Sequence, residues 1–175
     1  MEYRSLGRTG VMVTPLCLGA MNFGGPTDEP DSIAIINRAL EAGINFIDTA
    51  TNYSTSEERI GKAIAGRRGD VILATKSVSR TPDAILVDLD QSLKNLQTDY
   101  VDLFQFHNVS TAQDLQAVLA PGGPLDAVRT ARNEGRIRHI GITSHRLTVA
   151  QEAVKSGAFE TVMIGLNFVN TEAAD

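Results

Sequence analysis

The amino-acid sequence predicts an α/β fold of the (β/α)8 barrel (TIM-barrel) type. Short continuous apolar runs, which suit strands buried on both faces, alternate with segments of helical periodicity. The turn after the first barrel strand, residues 19–26, does not fit the G-x-G-x-x-G pattern of a dinucleotide-binding, doubly wound sheet. Polar side chains stand instead at the ends of several strands, where barrels place their chemistry. We therefore expect residues 1–175 to form a single barrel-type domain.

The strands are predicted from the apolar runs in chain order. Residues 3–6 and 11–14 are short extended runs on either side of a glycine-bounded turn, which predicts an N-terminal β-hairpin ahead of the barrel. Six further runs are predicted as barrel strands: residues 16–21, 44–48, 71–75, 101–107, 139–143 and 161–168. A full barrel takes roughly 250 residues. The chain is therefore expected to contain only about six of the eight strand–helix units.

Five segments between these strands are predicted as helices. The first covers about residues 30–42, with Asp28 as a candidate N-cap and Gly43 at its end. The second begins near residue 54, where Ser54 and Glu57 have the spacing of a capping box. The third begins at Thr81, which precedes a proline. The fourth and fifth cover about residues 125–134 and 149–156. Strict alternation of strands and helices predicts a parallel sheet with right-handed crossovers.

Composition excludes several classes of partner. The net charge of -5 does not favour nucleic acid, and no stretch approaches the ~20 apolar residues of a membrane span. The N-terminus has no apolar leader, so we expect a cytoplasmic protein. The one cysteine, Cys17, is expected to be a small buried residue of the first barrel strand. His139 and His145 lack metal-ligand spacing, and no metal is predicted.

Four polar residues at successive strand ends form a candidate site. Asp48 ends the second barrel strand and Tyr53 follows it, Lys76 ends the third, and His107 ends the fourth. A nearby ammonium lowers the pKa of a tyrosine, which is ordinarily near 10. The ammonium needs a carboxylate partner, and an imidazole can orient a substrate or relay a proton. Taken singly, these residues could equally be a capping carboxylate, a loop aromatic, a solvated lysine and a core histidine.

The segments that carry these residues resemble a known family. FIDTATNY, ILATKS, SLKNLQTDYVDLFQFH and GRIRHIGITS are similar to successive signature stretches of the aldo-keto reductases. The resemblance implies that Tyr53 is the general acid, that Lys76 lowers its pKa, and that Asp48 pairs with Lys76. It implies that His107 orients the carbonyl. It further implies NADPH as cofactor and a small-molecule aldehyde or ketone as substrate.

The resemblance has two departures on the cofactor side. Thr143 and Ser144 stand where the family commonly has Ser-Asn against the nicotinamide carboxamide, and Met163 stands where a glutamine is common. The resemblance implies that these three residues contact the cofactor. It also implies a C-terminally truncated member, because the strands that carry the phosphate-binding loops of the family have no counterpart here. The chain is then a fragment, or self-association or a second chain completes the barrel.

Two alternatives remain at this point. The chain could be a non-catalytic truncated paralogue or regulatory subunit of the same fold. It could also be an unrelated barrel enzyme, such as an aldolase that forms a Schiff base on Lys76. The presence of all four candidate residues favours the reductase over the non-catalytic relative. The aldolase ranks third, and it predicts borohydride trapping of a carbonyl substrate on Lys76 with no nicotinamide requirement.

Overall fold

The computed structural model describes residues 2–169 and 171–174, and it has the predicted N-terminal hairpin. Strand β1 (Arg4–Ser5) pairs antiparallel with β2 (Met12–Val13). The side chain of Asn45 ties this hairpin to the barrel, since it accepts from Thr14 N (2.9 Å) and donates to Met12 O (3.0 Å). The hairpin therefore lies against the amino-terminal end of the larger sheet.

The larger sheet has six parallel strands, and their order in space follows their order in the chain. They are β3 (Cys17–Gly19), β4 (Phe46–Asp48), β5 (Ile72–Ser77), β6 (Val101–Phe106), β7 (Ile137–Ser144) and β8 (Thr161–Ile164). The register runs without interruption from β3 to β8. This confirms the barrel-type α/β prediction, and the carboxyl ends of all six strands meet at one edge.

Six helices follow the strands in the described part of the chain. They are α1 (Glu29–Glu41), α2 (Ser56–Ala63), α3 (Pro82–Leu96), α4 (Ala112–Leu119), α5 (Pro124–Asn133) and α6 (Leu147–Lys155). Short 3-10 turns add Met21–Gly24, Arg68–Asp70 and Glu172–Ala174. None of the helices in the described ranges is long and apolar enough to cross a membrane.

The helix ends confirm some predicted caps and correct another. Asp28 accepts a hydrogen bond from Asp31 N (2.9 Å) and caps α1, and Thr81 caps α3. The capping box predicted for α2 is wrong, because its N-cap is Thr55 and makes no side-chain cap. Glu57 instead turns into the core, where it is 2% exposed.

One helix was not predicted from the sequence. Helix α4 occupies the segment between β6 and α5, for which the sequence predicted no element. Its N-cap Thr111 accepts from Asp114 N (3.0 Å), and Leu115 and Val118 face the core. The cap and this short apolar spacing were the available signal.

The sheet separates two clusters of buried apolar side chains. The larger cluster lies between the outer face of the sheet and the helices, and includes Ile47, Leu73, Phe104, Ile85 and Leu89. The smaller cluster lies on the inner face next to the hairpin, and contains Val13, Phe46, Ala74 and Leu103. Polar inner-face residues follow these toward the carboxyl ends of the strands.

The first and last barrel strands are shorter than predicted, and Cys17 is not buried. Strand β3 covers Cys17–Gly19, and the sheet begins at this strand, so its outer edge has no pairing strand within the described residues. The prediction that Cys17 is a buried core residue is therefore wrong, and the residue is exposed. An edge strand lacks the neighbour that would cover its side chains.

Candidate active site

The centre of the candidate site is a buried ion pair between two neighbouring strands. Lys76 Nζ on β5 donates to Asp48 Oδ2 at the end of β4, and also to Thr49 O (2.6 Å). Lys76 is only 2% exposed. A buried ammonium is tolerable when a carboxylate and further acceptors surround it. The structure thus brings Asp48 and Lys76 together as the sequence predicted.

A third buried side chain, Gln105, completes this cluster and was missed by the sequence reasoning. Gln105 on β6 is in register with Lys76, and its Nε2 donates to Asp48 Oδ1 (3.1 Å). Each oxygen of Asp48 therefore has its own donor. The signal was available in the period-two alternation of β6, because Leu103, Gln105 and His107 follow one another at the spacing of one strand face.

The surroundings of Asp48 act on its pKa in opposite directions. Burial raises the pKa of the Asp48 carboxyl, because the charged form loses hydration. The positive charge of Lys76 and the hydrogen bonds from Lys76 and Gln105 oppose that rise. Removing either donor would therefore raise the pKa of Asp48 further.

Tyr53 lies above this ion pair in the loop that follows β4. Lys76 Nζ is 5.1 Å from the centroid of the Tyr53 ring. The loop is folded by hydrogen bonds from Tyr53 N to Ala50 O (3.1 Å) and from Ser56 N to Tyr53 O (3.0 Å). Gly24 packs directly against it, and a Cβ at that position would overlap the carbonyl oxygen of Tyr53. The absence of a side chain at Gly24 thus allows Tyr53 to sit where it does.

The pKa of Tyr53 differs from the expectation that Lys76 would lower it. Burial raises the pKa of the Tyr53 hydroxyl, and the negative charge of Asp48 adds to the rise. The physical reason is that Lys76 is already neutralised by Asp48, so the pair presents little net positive charge to the tyrosine. Tyr53 is therefore fully protonated at neutral pH and holds a proton to donate.

His107 faces Tyr53 from the end of β6. The two ring centroids are 5.7 Å apart, and the planes are nearly perpendicular at 85°. The backbone of His107 is held on both sides, because its N donates to Ser77 O (2.8 Å) and its O accepts from Arg80 Nη2 (2.6 Å). Arg80 is a further residue that the sequence reasoning did not identify.

The environment of His107 keeps its ring neutral. Burial is the largest cause that lowers the pKa of His107 to about 4, followed by the positive charges of Lys76 and Arg80 and by His145. The ring Nδ1 is buried and has no hydrogen-bond partner within the described residues. At neutral pH the site therefore contains a neutral imidazole, a protonated tyrosine and a lysine–aspartate ion pair.

The comparisons with known proteins show the family of this chain. Residues 15–173 match the model of the aldo/keto reductase family. The chain belongs to the aldo/keto reductase family. It is 33% identical to the uncharacterized oxidoreductase YqkF of Bacillus subtilis, over 94% of this chain and 56% of the relative. It is 32% identical to L-galactose dehydrogenase of Arabidopsis thaliana, over 93% of this chain and 56% of that protein.

Solved structures of aldo-keto reductases have the same fold. The holo form of an aldo-keto reductase from Bacillus halodurans superposes with a TM-score of 0.80 at 33% identity, over 95% of this chain and 58% of that one. A putative aldo-keto reductase from Pseudomonas aeruginosa gives a TM-score of 0.87 at 25% identity, over 98% and 71%. The chain spans about half the length of the curated relatives that it matches.

The three residues predicted on the cofactor side lie at the same end of the sheet as the other four. Thr143 Oγ1 accepts from Asn108 N (2.8 Å), and the Ser144 hydroxyl bonds both the N and the O of Arg146 at 3.1 Å. Met163 on β8 is in register with Thr143 and is 40% exposed. Both hydroxyls are therefore engaged with their own chain, whereas Met163 presents an open apolar surface.

Among the described residues, the remaining titratable side chains do not form a metal site. No group of three or more histidine, cysteine or acidic side chains is placed to hold a metal within residues 2–169 and 171–174. His139 lies near the start of β7 and its Nδ1 bonds Glu160 Oε1 (2.9 Å), at the opposite end from His107. His139 is thus hydrogen-bonded to Glu160 and lies away from the candidate site.

Proposed function

We propose that this protein is an NADPH-dependent oxidoreductase that reduces aldehydes or ketones to alcohols. The observation that carries the proposal is the arrangement of Tyr53 and His107 directly over the buried Asp48–Lys76 pair. Carbonyl reduction requires a proton donor beside the oxygen on which negative charge develops. Family membership supports the same reaction class, and NADPH rather than NADH rests on the family resemblance alone.

In the proposed reaction Tyr53 is the general acid. Its raised pKa keeps the proton on the hydroxyl until an alkoxide forms, which is far more basic than a phenolate. The ammonium of Lys76 lies 5.1 Å from the ring centroid and faces the phenolate that is left behind, but its pairing with Asp48 limits how far it stabilises that charge. Asp48 holds that ammonium in place. Solvent returns the proton to Tyr53 after the product leaves.

His107 has an orienting role in this proposal. A ring whose pKa is about 4 is neutral at working pH, so it can donate one hydrogen bond to a carbonyl oxygen without adding charge. Its contact with the Tyr53 ring places the two groups on the same side of the site. Together they define where the carbonyl oxygen binds.

The residues at the ends of β7 and β8 offer a nicotinamide ring an apolar surface and few free hydrogen-bonding groups. The hydroxyls of Thr143 and Ser144 lie at the end of β7 and are engaged by the backbone of Asn108 and Arg146, whereas the exposed Met163 provides an apolar surface against which a ring can pack. We propose that these three residues hold the carboxamide side of the cofactor. When bound, the reduced nicotinamide supplies the hydride to the carbonyl carbon.

The names of two relatives bear on the substrate class. One is an L-galactose dehydrogenase and another, from Escherichia coli, is an L-glyceraldehyde 3-phosphate reductase. Both names describe the interconversion of small carbonyl compounds and alcohols. We propose a small-molecule carbonyl substrate of this general kind for the present protein.

The sheet edges support a further proposal about partners. Apolar side chains are exposed at and after β8, among them Val162, Leu166 and Phe168, the last at 96%. We propose that self-association or a second chain covers this edge in the working protein. Light scattering on purified protein should give a mass above that of one chain, and a strictly monomeric sample that still reduces carbonyls would contradict the proposal.

The first experiment is a titration with NADPH followed by nicotinamide fluorescence, with NADH alongside. Saturable binding that prefers NADPH is expected, and a screen of aldehydes and ketones follows. Tyr53→Phe should bind NADPH but lower the turnover number at least about 100-fold, because general acid catalysis contributes that much or more. Tyr100→Phe is the matched control, since Tyr100 stacks between Arg68 and Arg138 away from the site. Retained turnover in Tyr53→Phe would remove the tyrosine from the mechanism.

A further inference from the structure

The Asp48–Lys76 pair is held by a buried amide that neither the motifs nor the proposed chemistry include. Gln105 is 1% exposed, and its side chain spans the inner face of the sheet from β6 to reach Asp48 on β4. The two residues are 57 positions apart in the chain. Strand β5, which carries Lys76, lies between them in the sheet.

The space that Gln105 occupies depends on the next strand. Gly141 on β7 is in register with Gln105, and a Cβ at that position would lie 3.1 Å from Gln105 Cγ and would overlap Thr161 Oγ1. A side chain at position 141 would therefore crowd Gln105. The Gln105 side chain thus packs against Gly141 on one side and donates its hydrogen bond to Asp48 on the other.

We propose that Gln105 is a positioning residue that fixes the Asp48 carboxylate in the orientation that binds Lys76. Asp48 has two oxygens, and Gln105 takes Oδ1 while Lys76 takes Oδ2. Without the amide, the carboxylate is free to rotate about its terminal torsion, which is broad for aspartate. The role deepens the proposed function, because it acts on the group that anchors the ammonium under Tyr53.

Three titratable side chains among the described residues face Asp48 from the neighbouring elements, namely Lys76, Tyr53 and Cys17. Lys76 on β5 is the counter-charge, and it donates to the other oxygen of the carboxylate. Tyr53 in the loop is protonated at neutral pH because its pKa is raised. Cys17 on β3 is exposed as a residue, yet burial around its thiol and then Asp48 raise its pKa to about 12, so it is uncharged. Loss of the Gln105 donor therefore acts on Asp48 alone.

The test follows the protonation of the Asp48 carboxyl through the NMR signal of the Lys76 amine. The chain has four lysines, so the side-chain amine signals of 15N-lysine-labelled protein are few enough to assign by substitution. Protonation of Asp48 at low pH changes the Lys76 signal, and the midpoint of that change reports the Asp48 titration. Gln105→Met keeps the length and volume but removes the donor, and it should move the midpoint upward by about one pH unit.

Two other variants sharpen the result. Gln105→Asn keeps the amide but withdraws it by one methylene, so it should move the midpoint in the same direction, and it serves if Gln105→Met does not fold. Gln91→Met is the matched control, because Gln91 lies on the exposed face of α3 and bonds only Asn95 Oδ1 (2.7 Å). The control should leave the Lys76 midpoint unchanged.

The outcomes separate this role from the proposed function. If Gln105 only filled space, methionine would replace it without effect on the Asp48 titration. An unmoved midpoint of the Lys76 signal in folded Gln105→Met therefore overturns the positioning role of Gln105. This holds even if the wild type reduces carbonyls. A moved midpoint in a protein that lacks turnover overturns the proposed function and leaves the Gln105 interaction standing. With turnover present, we expect kcat to fall about tenfold with little change in KM.

Discussion

The neutral state of His107 makes a prediction that can be tested without knowing the substrate. Burial and the nearby positive charges of Lys76 and Arg80 lower its pKa from 6.5 to about 4. In the unfolded chain the same ring is hydrated and distant from those charges, so it titrates near its ordinary value. Between these two values the unfolded chain binds a proton that the folded protein does not.

The sign and size of the effect on stability follow from this difference. Stability rises with pH wherever the unfolded state binds more protons. The contribution of a neutral His107 is therefore fully present above pH 6.5 and is lost as the pH falls from 6.5 toward 4. A fully enclosed ring with this shift would contribute about 3 kcal/mol. Because His107 is partly exposed, solvent screening reduces the expected loss to about 1–2 kcal/mol.

Two measurements check the prediction. The chain has three histidines, so a 15N NMR titration can follow each ring, and the His107 ring should titrate near pH 4. Urea denaturation at pH 7 and at pH 4.5 measures the free energy of unfolding. Between these two pH values the wild type should lose about 1–2 kcal/mol more of this free energy than His107→Gln does. His145→Gln, at an exposed position, should retain most of the wild-type dependence. A His107 ring that titrates near 6.5, or equal pH slopes in wild type and His107→Gln, would refute the reasoning.

Two further substitutions test the Asp48–Lys76 ion pair and the packing of Gly24 against Tyr53. Asp48→Asn should lower the free energy of unfolding by about 3 kcal/mol, because Lys76 is then buried without its counter-charge. Urea denaturation measures this loss, and an unchanged midpoint would show that the pair is not buried as described. Gly24→Ala should lower both the melting temperature and any carbonyl-reducing turnover, because its Cβ would overlap Tyr53 O. Gly25→Ala is the control, since open space surrounds its Cβ position, and equal effects of the two would exclude the proposed clash.

The elements predicted from the sequence were those with strong local signals. Helix α3 begins after an N-cap threonine and a proline and carries a regular apolar stripe, and it was predicted at its observed start. Helix α4 was missed because it is short and its apolar spacing covers only two core positions. The capping box assigned to Glu57 failed because Thr75 Oγ1 donates to its carboxylate at 2.6 Å inside the core. Sequence spacing cannot show which of two partners a carboxylate takes.

The candidate site shows the same division. Asp48, Tyr53, Lys76 and His107 were predicted from polar residues at or just after strand ends and from the family resemblance, and the structure brings all four to one end of the sheet. Gln105 was missed because it lies inside a strand. Its period-two spacing with His107 indicates the face of the strand, but not which side chain of a neighbouring strand it contacts. Its bond to Asp48 depends on the register of three strands.

The sequence by itself determined the fold class, the order of the strands and the identity of the four candidate groups. These features depend on periodicity and on residue type at strand ends, which are local properties of the chain. Only the tertiary structure decided the electrostatics of the site. Lys76 does not lower the pKa of Tyr53 below its ordinary value, because Asp48 neutralises the ammonium and burial raises the pKa of the phenol. Burial and the distances between charges are properties of the packed chain, and no spacing along the sequence contains them.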